Sequence, residues 1–181
     1  MFIRTAVILA SVALAAPAVY AQQQGAMTMS HDSKGPVLSP RDTTRATVGS
    51  ASVLVDYGRP SKRNREIFGG LVPYDQVWRT GANAATTLVT DKALTIGTTD
   101  VPAGTYTLYT LPTKTGWTLI VNKETGQWGT VYHQDKDFAR IPMTVAALSA
   151  PVEKFEIAVA GGQLHLKWDT TDASVAIAEK K

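Results

Sequence analysis

From residue 41 onward, the chain is a series of short runs in which apolar and polar residues alternate, separated by Gly, Pro, Asn and Asp. In the run 117–122, Trp117, Leu119 and Val121 would share one face of a strand, and the residues between them the other. The runs start about every 8 to 12 residues, which is typical of an all-β sandwich or barrel. The pattern predicts strands at 52–57, 86–90, 93–96, 105–111, 117–122, 141–145, 155–159, 164–168 and 174–178.

Turn residues between these runs support the same architecture. In 101–105, Pro102 and Gly104 supply the fixed φ and the positive φ that a reversing turn needs. Gly161 and Gly162 separate two alternating runs by two residues, as in a tight hairpin. No run has the period of a long helix. We therefore expect an all-β fold, a single antiparallel β-sandwich of jelly-roll-like or immunoglobulin-like kind, over 41–178, with a tail at 179–181.

One long irregular crossover, 57–83, interrupts the predicted strands. It reads Y-G-R-P-S-K-R-N-R-E-I-F-G-G-L-V-P-Y-D-Q-V-W-R-T-G-A-N and combines arginines with aromatic residues and glycines. A connection of this length is unusual in a compact domain unless it is ordered for a reason. In a structural interpretation, its apolar residues fill one end of the sandwich and its arginines pair with nearby acids; those apolar residues are Ile67, Phe68, Leu71, Val72 and Trp78.

In a functional interpretation, the same crossover is a binding surface. A guanidinium offers a planar fork for carboxylate or phosphate, and indole rings offer flat faces for sugars or apolar rings. A second aromatic and glycine-rich piece, Gln127-Trp128-Gly129, follows a predicted strand. The candidate ligand-binding residues are Arg59, Arg63, Trp78, Arg79, Asn83 and Trp128. The predicted partner is a small-molecule or glycan-like ligand, bound without catalysis.

The chain contains no G-x-S-x-G, P-loop, H-E-x-x-H or G-x-G-x-x-G motif. Its three histidines, His31, His133 and His165, form no pair at metal-ligand spacing, so no metal and no cofactor is predicted.

Two alternatives to a binding module stay open. One is a hydrolase or lyase in which Arg79 and Asn83 stabilise developing charge and Glu66 or Asp75 supplies the acid. The other is a structural scaffold for a protein partner, which would contact an exposed sheet edge.

The first 21 residues have the features of a secretory signal peptide. Arg4 precedes an apolar run from Ala6 to Ala16, and Val19-Tyr20-Ala21 offers acceptable residues for cleavage after Ala21. Residues 22–40 have no hydrophobic period and are predicted to be a disordered linker. The chain has no cysteine, so neither a disulfide nor a lipid-anchor cysteine is available. We expect a secreted or periplasmic protein without a membrane anchor.

The charge balance adds one exclusion. The full chain has 18 basic and 15 acidic residues, and removing Arg4 with the signal peptide would leave a net charge of +2. That excess is too small to predict nucleic acid as a partner.

Five motifs follow one another along the chain: Y-G-R-P-S at 57–61, I-F-G-G-L-V-P-Y at 67–74, V-W-R-T-G-A-N at 77–83, V-P-A-G-T-Y at 101–106 and Q-W-G at 127–129. Together they resemble the family called domain of unknown function 2911, over residues 38–177. The family consists of secreted bacterial proteins without an assigned activity, so the resemblance implies compartment and architecture but no catalytic residue. A site shared by the family would lie at the positions that match its motifs, Arg59, Trp78, Arg79, Gly81, Asn83 and Trp128. The segment 171–177 departs from the family's usual C-terminal end.

Overall fold

The computed structural model describes residues 38–181, so the predicted signal peptide and nearly all of the predicted linker lie outside the described residues. Within that range the chain forms nine strands and one 3₁₀ turn, at Gln134–Lys136. The strands are β1 (Arg41–Val48), β2 (Ala51–Gly58), β3 (Thr86–Thr90), β4 (Leu94–Ile96), β5 (Thr99–Val101), β6 (Gly104–Pro112), β7 (Trp117–Asn122), β8 (Asp137–Ala160) and β9 (Gln163–Glu179).

All nine strands belong to one antiparallel sheet, in the order β1-β2-β3-β6-β7-β8-β9-β4-β5. This confirms the predicted all-β class. The sandwich subtype stays a prediction, because the hydrogen-bonded order alone describes one open sheet. The first strand nevertheless lies against the second half of β8, where the hydroxyl of Thr44 donates to the carbonyl of Ile157.

The last four predicted strands are two long strands. The runs 141–145 and 155–159 both lie in β8, and 164–168 and 174–178 both lie in β9. The pairing of β8 with β9 shifts register between Ala147 and Val152 and again before Glu156. Residues 144–154 of β8 are largely exposed, so the alternation that reveals a buried strand face is lost there although the backbone continues.

Two strands are absent from the sequence prediction. The sequence of β1, R-D-T-T-R-A-T-V, has almost no apolar alternation, since this edge strand is mostly exposed or half-buried. The other, β5, has only three residues and is also at an edge. The interaction-scaffold alternative would use one of these two edges, and it stays a prediction.

The core is built from the inward-facing residues that the alternation identifies. Trp117, Leu119 and Val121 of β7 are buried on one face, as predicted. Leu164, Leu166 and Trp168 of β9 are each about 1% exposed and belong to the same apolar cluster. The hairpin at Gly161 and Gly162 has φ of 59° and 73°, as the two-residue turn requires.

The long crossover connects β2 to β3 and is tied to two other strands by its backbone. Near its start, the amide of Lys62 donates to the carbonyl of Glu153 in β8 at 2.7 Å. Near its end, Trp78 and Thr110 of β6 exchange two backbone hydrogen bonds of 2.7 and 2.9 Å. Its two ends are therefore fixed to two different strands, β8 and β6.

The apolar residues of the crossover divide into buried and exposed. Ile67 and Val72 are fully buried, and Phe68 and Trp78 pack against the core. Leu71 is 46% exposed, so its predicted place in the core is wrong. It follows a Gly-Gly pair at the tip of a turn, which directs it to solvent. Among residues 38–181, no helix has the length and apolar character needed to cross a membrane.

Candidate functional site

The end of the crossover opens a cleft of about 330 Å³ in the surface. Its floor contains Trp78 and Trp168, whose rings stack with centroids 5.9 Å apart and planes 17° apart. Three arginines line it together with apolar and small polar residues. The lining residues are Leu38, Ser39, Pro60, Arg63, Arg65, Leu71, Val72, Trp78, Arg79, Gly81, Ala82, Asn83 and Trp168.

The floor is rigid because Trp78 belongs to an aromatic cluster. Its ring meets those of Phe68, Trp117 and Phe155 edge-on, at centroid distances of 6.1, 6.4 and 5.1 Å. Edge-to-face pairs at such distances are favourable beyond their buried area. Trp78 is thus both a core residue, as the structural interpretation predicts, and a lining residue of the cleft.

The guanidinium groups of Arg63 and Arg65 use carbonyl oxygens as their protein partners. Arg63 donates to the carbonyl of Leu38 at 2.5 Å, and Arg65 donates to the carbonyls of Ser61 and Lys62 at 2.6 and 2.9 Å. Within residues 38–181 neither forms an ion pair, and Glu153 accepts from the backbone amide of Arg63 rather than from its guanidinium. Both charges therefore remain uncompensated by direct pairing.

Arg79 is the least satisfied of the three. Its Nε is buried and has no hydrogen-bond partner among the described residues, and no carboxylate of that range pairs with it. The expectation that the crossover arginines pair with nearby acids is therefore wrong for Arg79. The loop behind it is close: a Cβ at Gly129 would lie 2.6 Å from Cδ of Arg79 and 2.6 Å from the carbonyl oxygen of Asn83. A glycine at 129 is what lets the arginine lie there.

Arg59 lies elsewhere. Its Nε donates to the carbonyl of Phe155 at 3.1 Å, and its terminal nitrogens lie 3.1 Å from Asp42 and 4.0 Å from Glu156. This side chain links β1, β2 and β8 and does not line the cleft. For Arg59 the structural interpretation holds, and the structure does not bring it together with Arg79.

Asn83 lines the cleft and also stabilises the turn before β3. Its φ is 64°, its side-chain amide donates to the carbonyl of Ser39 at 3.3 Å, and its own carbonyl accepts from Gly129 at 3.0 Å. Gly81 has φ of 149° in the same turn. Trp128 pairs with Ala84 through a β-bridge and is 57% exposed, but it does not line the cleft.

A second cavity, of about 150 Å³, shares Trp78 and Arg79 with the cleft. Its other lining residues are Val77, Tyr109, Gly129, Thr130 and Tyr132. The sequence prediction missed the two tyrosines, as it missed Arg65. Arg65 lies two positions after Arg63 in K-R-N-R, a spacing that could have indicated it, whereas nothing local distinguishes Tyr109 from any other strand residue.

The tyrosine hydroxyls of this cavity are engaged by the protein. Tyr109 donates to the carbonyl of Val131 at 2.5 Å and accepts from Gln127 at 3.0 Å. Tyr132 donates to Asp137 at 2.6 Å and accepts from Arg140 at 2.6 Å. Burial, followed by the bond to Asp137, raises the pKa of Tyr132 to about 12, and burial also raises the pKa of Tyr109.

Neither cavity has the groups that the hydrolase or lyase alternative requires. Glu66 and Asp75 do not line either one, and neither does any other acidic residue or histidine of residues 38–181. In the same range there is no group of three His, Cys, Asp or Glu residues close enough to share a metal ion. The arrangement can bind and orient an anion, but its lining provides no carboxylate or imidazole for proton transfer.

Comparison with known proteins gives one match. The family model described as "Protein of unknown function (DUF2911)" matches residues 39–177, which is most of the chain and includes every residue of the cleft except Leu38. Neither a curated protein nor a solved structure matches.

Proposed function

We propose a binding function for this chain, which belongs to the DUF2911 family of proteins of unknown function. The module binds a small anionic ligand in the cleft beside Arg79 and does not catalyse a reaction. One observation carries the proposal: three arginines without a carboxylate partner in residues 38–181 line a single cleft whose described lining contains no acidic residue.

The energetics of Arg79 support an anionic ligand. A buried donor without an acceptor costs about 1–3 kcal/mol, and more when the group is charged. Nε of Arg79 is such a donor. A carboxylate or phosphate in the cleft would bring a compensating negative charge beside this guanidinium, whose planar fork matches both groups. Arg63 and Arg65 add positive charge at the same cleft, which attracts an anion over a longer distance.

The proposed module is an exported β-sandwich. The signal-peptide features of residues 1–21 support a secreted or periplasmic location. The contact of Thr44 with Ile157 supports a sheet that folds over itself, as in the predicted jelly-roll-like or immunoglobulin-like sandwich.

A glycan-like ligand fits only in part. The indole rings of Trp78 and Trp168 could take the apolar face of a sugar, but both belong to the core cluster and Trp128 lies outside the cleft. A neutral sugar would also leave the arginine charges without a partner. Among saccharides, the geometry therefore favours acidic ones.

Isothermal titration of the protein with inorganic phosphate, sulfate, acetate, glucuronate and neutral glucose tests the proposal. We expect at least one anion to bind, glucose to bind more weakly than glucuronate, and Arg79→Met to weaken the anion by about tenfold or more, which is about 1.4 kcal/mol. Arg79→Lys keeps the charge but not the fork, so it should restore only part of the affinity.

Arg45→Met is the matched control. Arg45 is an exposed arginine of β1 that does not line the cleft, and no ion pair of residues 38–181 includes it. Its replacement should leave the affinity unchanged. Absence of binding by every anion, or equal binding by folded Arg79→Met, would refute the proposed site.

A further inference from the structure

We infer that the ligand of this site is an aryl anion, in which a single planar ring occupies the cavity beside Tyr109 and Tyr132 and an acidic group reaches Arg79. The inference rests on the proposed anion site and adds the chemical class of the ligand. It comes from the two cavities that share Trp78 and Arg79.

The smaller cavity presents ring surfaces. Both tyrosine hydroxyls already donate to protein acceptors, Tyr109 to Val131 and Tyr132 to Asp137, and both already accept a second bond. What the two tyrosines can offer a ligand is therefore their rings, which meet edge-to-face with centroids 4.9 Å apart. A third ring placed beside such a pair gains the same quadrupolar contacts.

The size of this cavity limits what can enter. Its volume is about 150 Å³, and an apolar protein cavity of about 150 Å³ is known to hold one benzene ring. Val77 and Trp78 add apolar surface beside the tyrosines, and Arg79 and Thr130 add polar groups, at a cavity that is open to the surface. The volume matches a single ring.

Arg79 fixes the distance between the ring and the acid. The side chain of one arginine, Arg79, lines both cavities, so a ligand that uses both should carry its charge only a few atoms from its ring. The same guanidinium can hold the ring through a cation–π contact and the acid through its N–H fork. Aryl carboxylates and aryl phosphates meet both requirements, and inorganic phosphate or a simple aliphatic acid meets only the second.

Titration with matched pairs of ligands tests the inference, using phenyl phosphate against methyl phosphate and benzoate against acetate. We expect the ring to raise affinity by about tenfold or more in each pair, since it buries apolar area that the methyl group cannot. A variant that fills the cavity, Thr130→Phe, should remove this preference and leave methyl phosphate binding unchanged. Thr130 is exposed, so the added ring should not disturb the core.

Thr125→Phe is the matched control, because Thr125 is exposed in the same loop but lines neither cavity. It should keep the full ring preference. Equal binding of phenyl and methyl phosphate by the wild type, or an unchanged preference in Thr130→Phe, would overturn the ring subsite while the anion site stands. Binding of none of the four ligands, with phosphate, sulfate and glucuronate also unbound, would overturn both.

Discussion

Arg140 bonds to the hydroxyl of Tyr132, whereas Arg79 lines a cavity with the same tyrosine, and the two arginines differ in how their charges are compensated. Arg140 donates to Asp137 at 2.9 Å and to the hydroxyl of Tyr132 at 2.6 Å, and Asp137 also accepts from Asn122 at 2.9 Å. Arg79 has no carboxylate partner, and its Nε has no acceptor within residues 38–181.

The difference separates arginines that the fold pairs with its own carboxylates from arginines that have no carboxylate partner among the described residues. Arg41, Arg59 and Arg140 each pair with a carboxylate of the described range. The arginines of the cleft instead contact carbonyl oxygens or nothing in that range. Since this fold pairs other arginines with carboxylates, three arginines without such a partner in one cleft favour a role in binding a ligand.

The largest predicted effect comes from breaking the closed network around Asp137. Asp137→Asn removes the charge that receives three donors, and its side chain is only 10% exposed. We expect a loss of about 2–3 kcal/mol in the free energy of unfolding, because the nearly buried carboxylate of Asp137 is a charged acceptor for Asn122, Tyr132 and Arg140. Urea unfolding measures it.

The control for this variant is two residues away. Asp135 pairs with Lys136 on the surface and is 72% exposed. Asp135→Asn should change stability by less than about 0.5 kcal/mol. If the two substitutions cost the same, Asp137 does not hold the network together.

A smaller effect should separate the paired from the unpaired arginines. Arg59→Met removes the bond to the carbonyl of Phe155 and the pair with Asp42, so we expect a loss of about 1–2 kcal/mol. Arg79→Met removes no protein hydrogen bond of residues 38–181 and takes away a buried donor without an acceptor, so it should cost no stability and should raise it by up to about 1–3 kcal/mol. Thermal or urea unfolding of both variants without ligand makes the measurement. Equal losses would contradict the contrast between the two arginines.

The smallest predicted effect appears in alkaline solution. The pKa of Tyr132 is about 12 in the folded protein against an ordinary 10.0, so its contribution is complete below about pH 10 and is lost as pH rises through 12. Between about pH 9 and pH 11.5, the wild type should lose roughly 1 kcal/mol more than Tyr132→Phe, after allowance for partial exposure. Groups common to both proteins cancel in this comparison. Parallel pH profiles would show that Tyr132 holds its proton no more tightly when folded.

Much of the fold was predictable because buried strand faces leave a period of two in the sequence. The bounds 86–90 and 117–122 agree with β3 and β7 residue for residue. The prediction failed where no such face exists. The Thr- and Arg-rich β1 is an edge strand, and the middle of β8 is exposed, so their backbone pairing has no hydrophobic signature.

The candidate site was predictable only as a region. The clustering of arginines and aromatic residues in the crossover indicates a binding surface there. Four of the predicted residues line one cleft, namely Arg63, Trp78, Arg79 and Asn83. The direction of each side chain depends on contacts distant in the chain. Arg59 turns to Phe155, ninety-six positions away, and no local pattern distinguishes it from Arg63. Whether these residues bind a ligand stays a prediction.

The backbone bonds between the crossover and the sheet have a consequence for kinetics. Trp78 is fixed to Thr110 by two backbone hydrogen bonds, and Lys62 to Glu153 by another, so the walls of the cleft are extensions of strands. A ligand would meet a preformed site and would not have to wait for a loop to close. Association should then follow a single exponential whose observed rate constant rises linearly with ligand concentration. Raising the ionic strength should lower the association rate constant far more than it changes the dissociation rate constant.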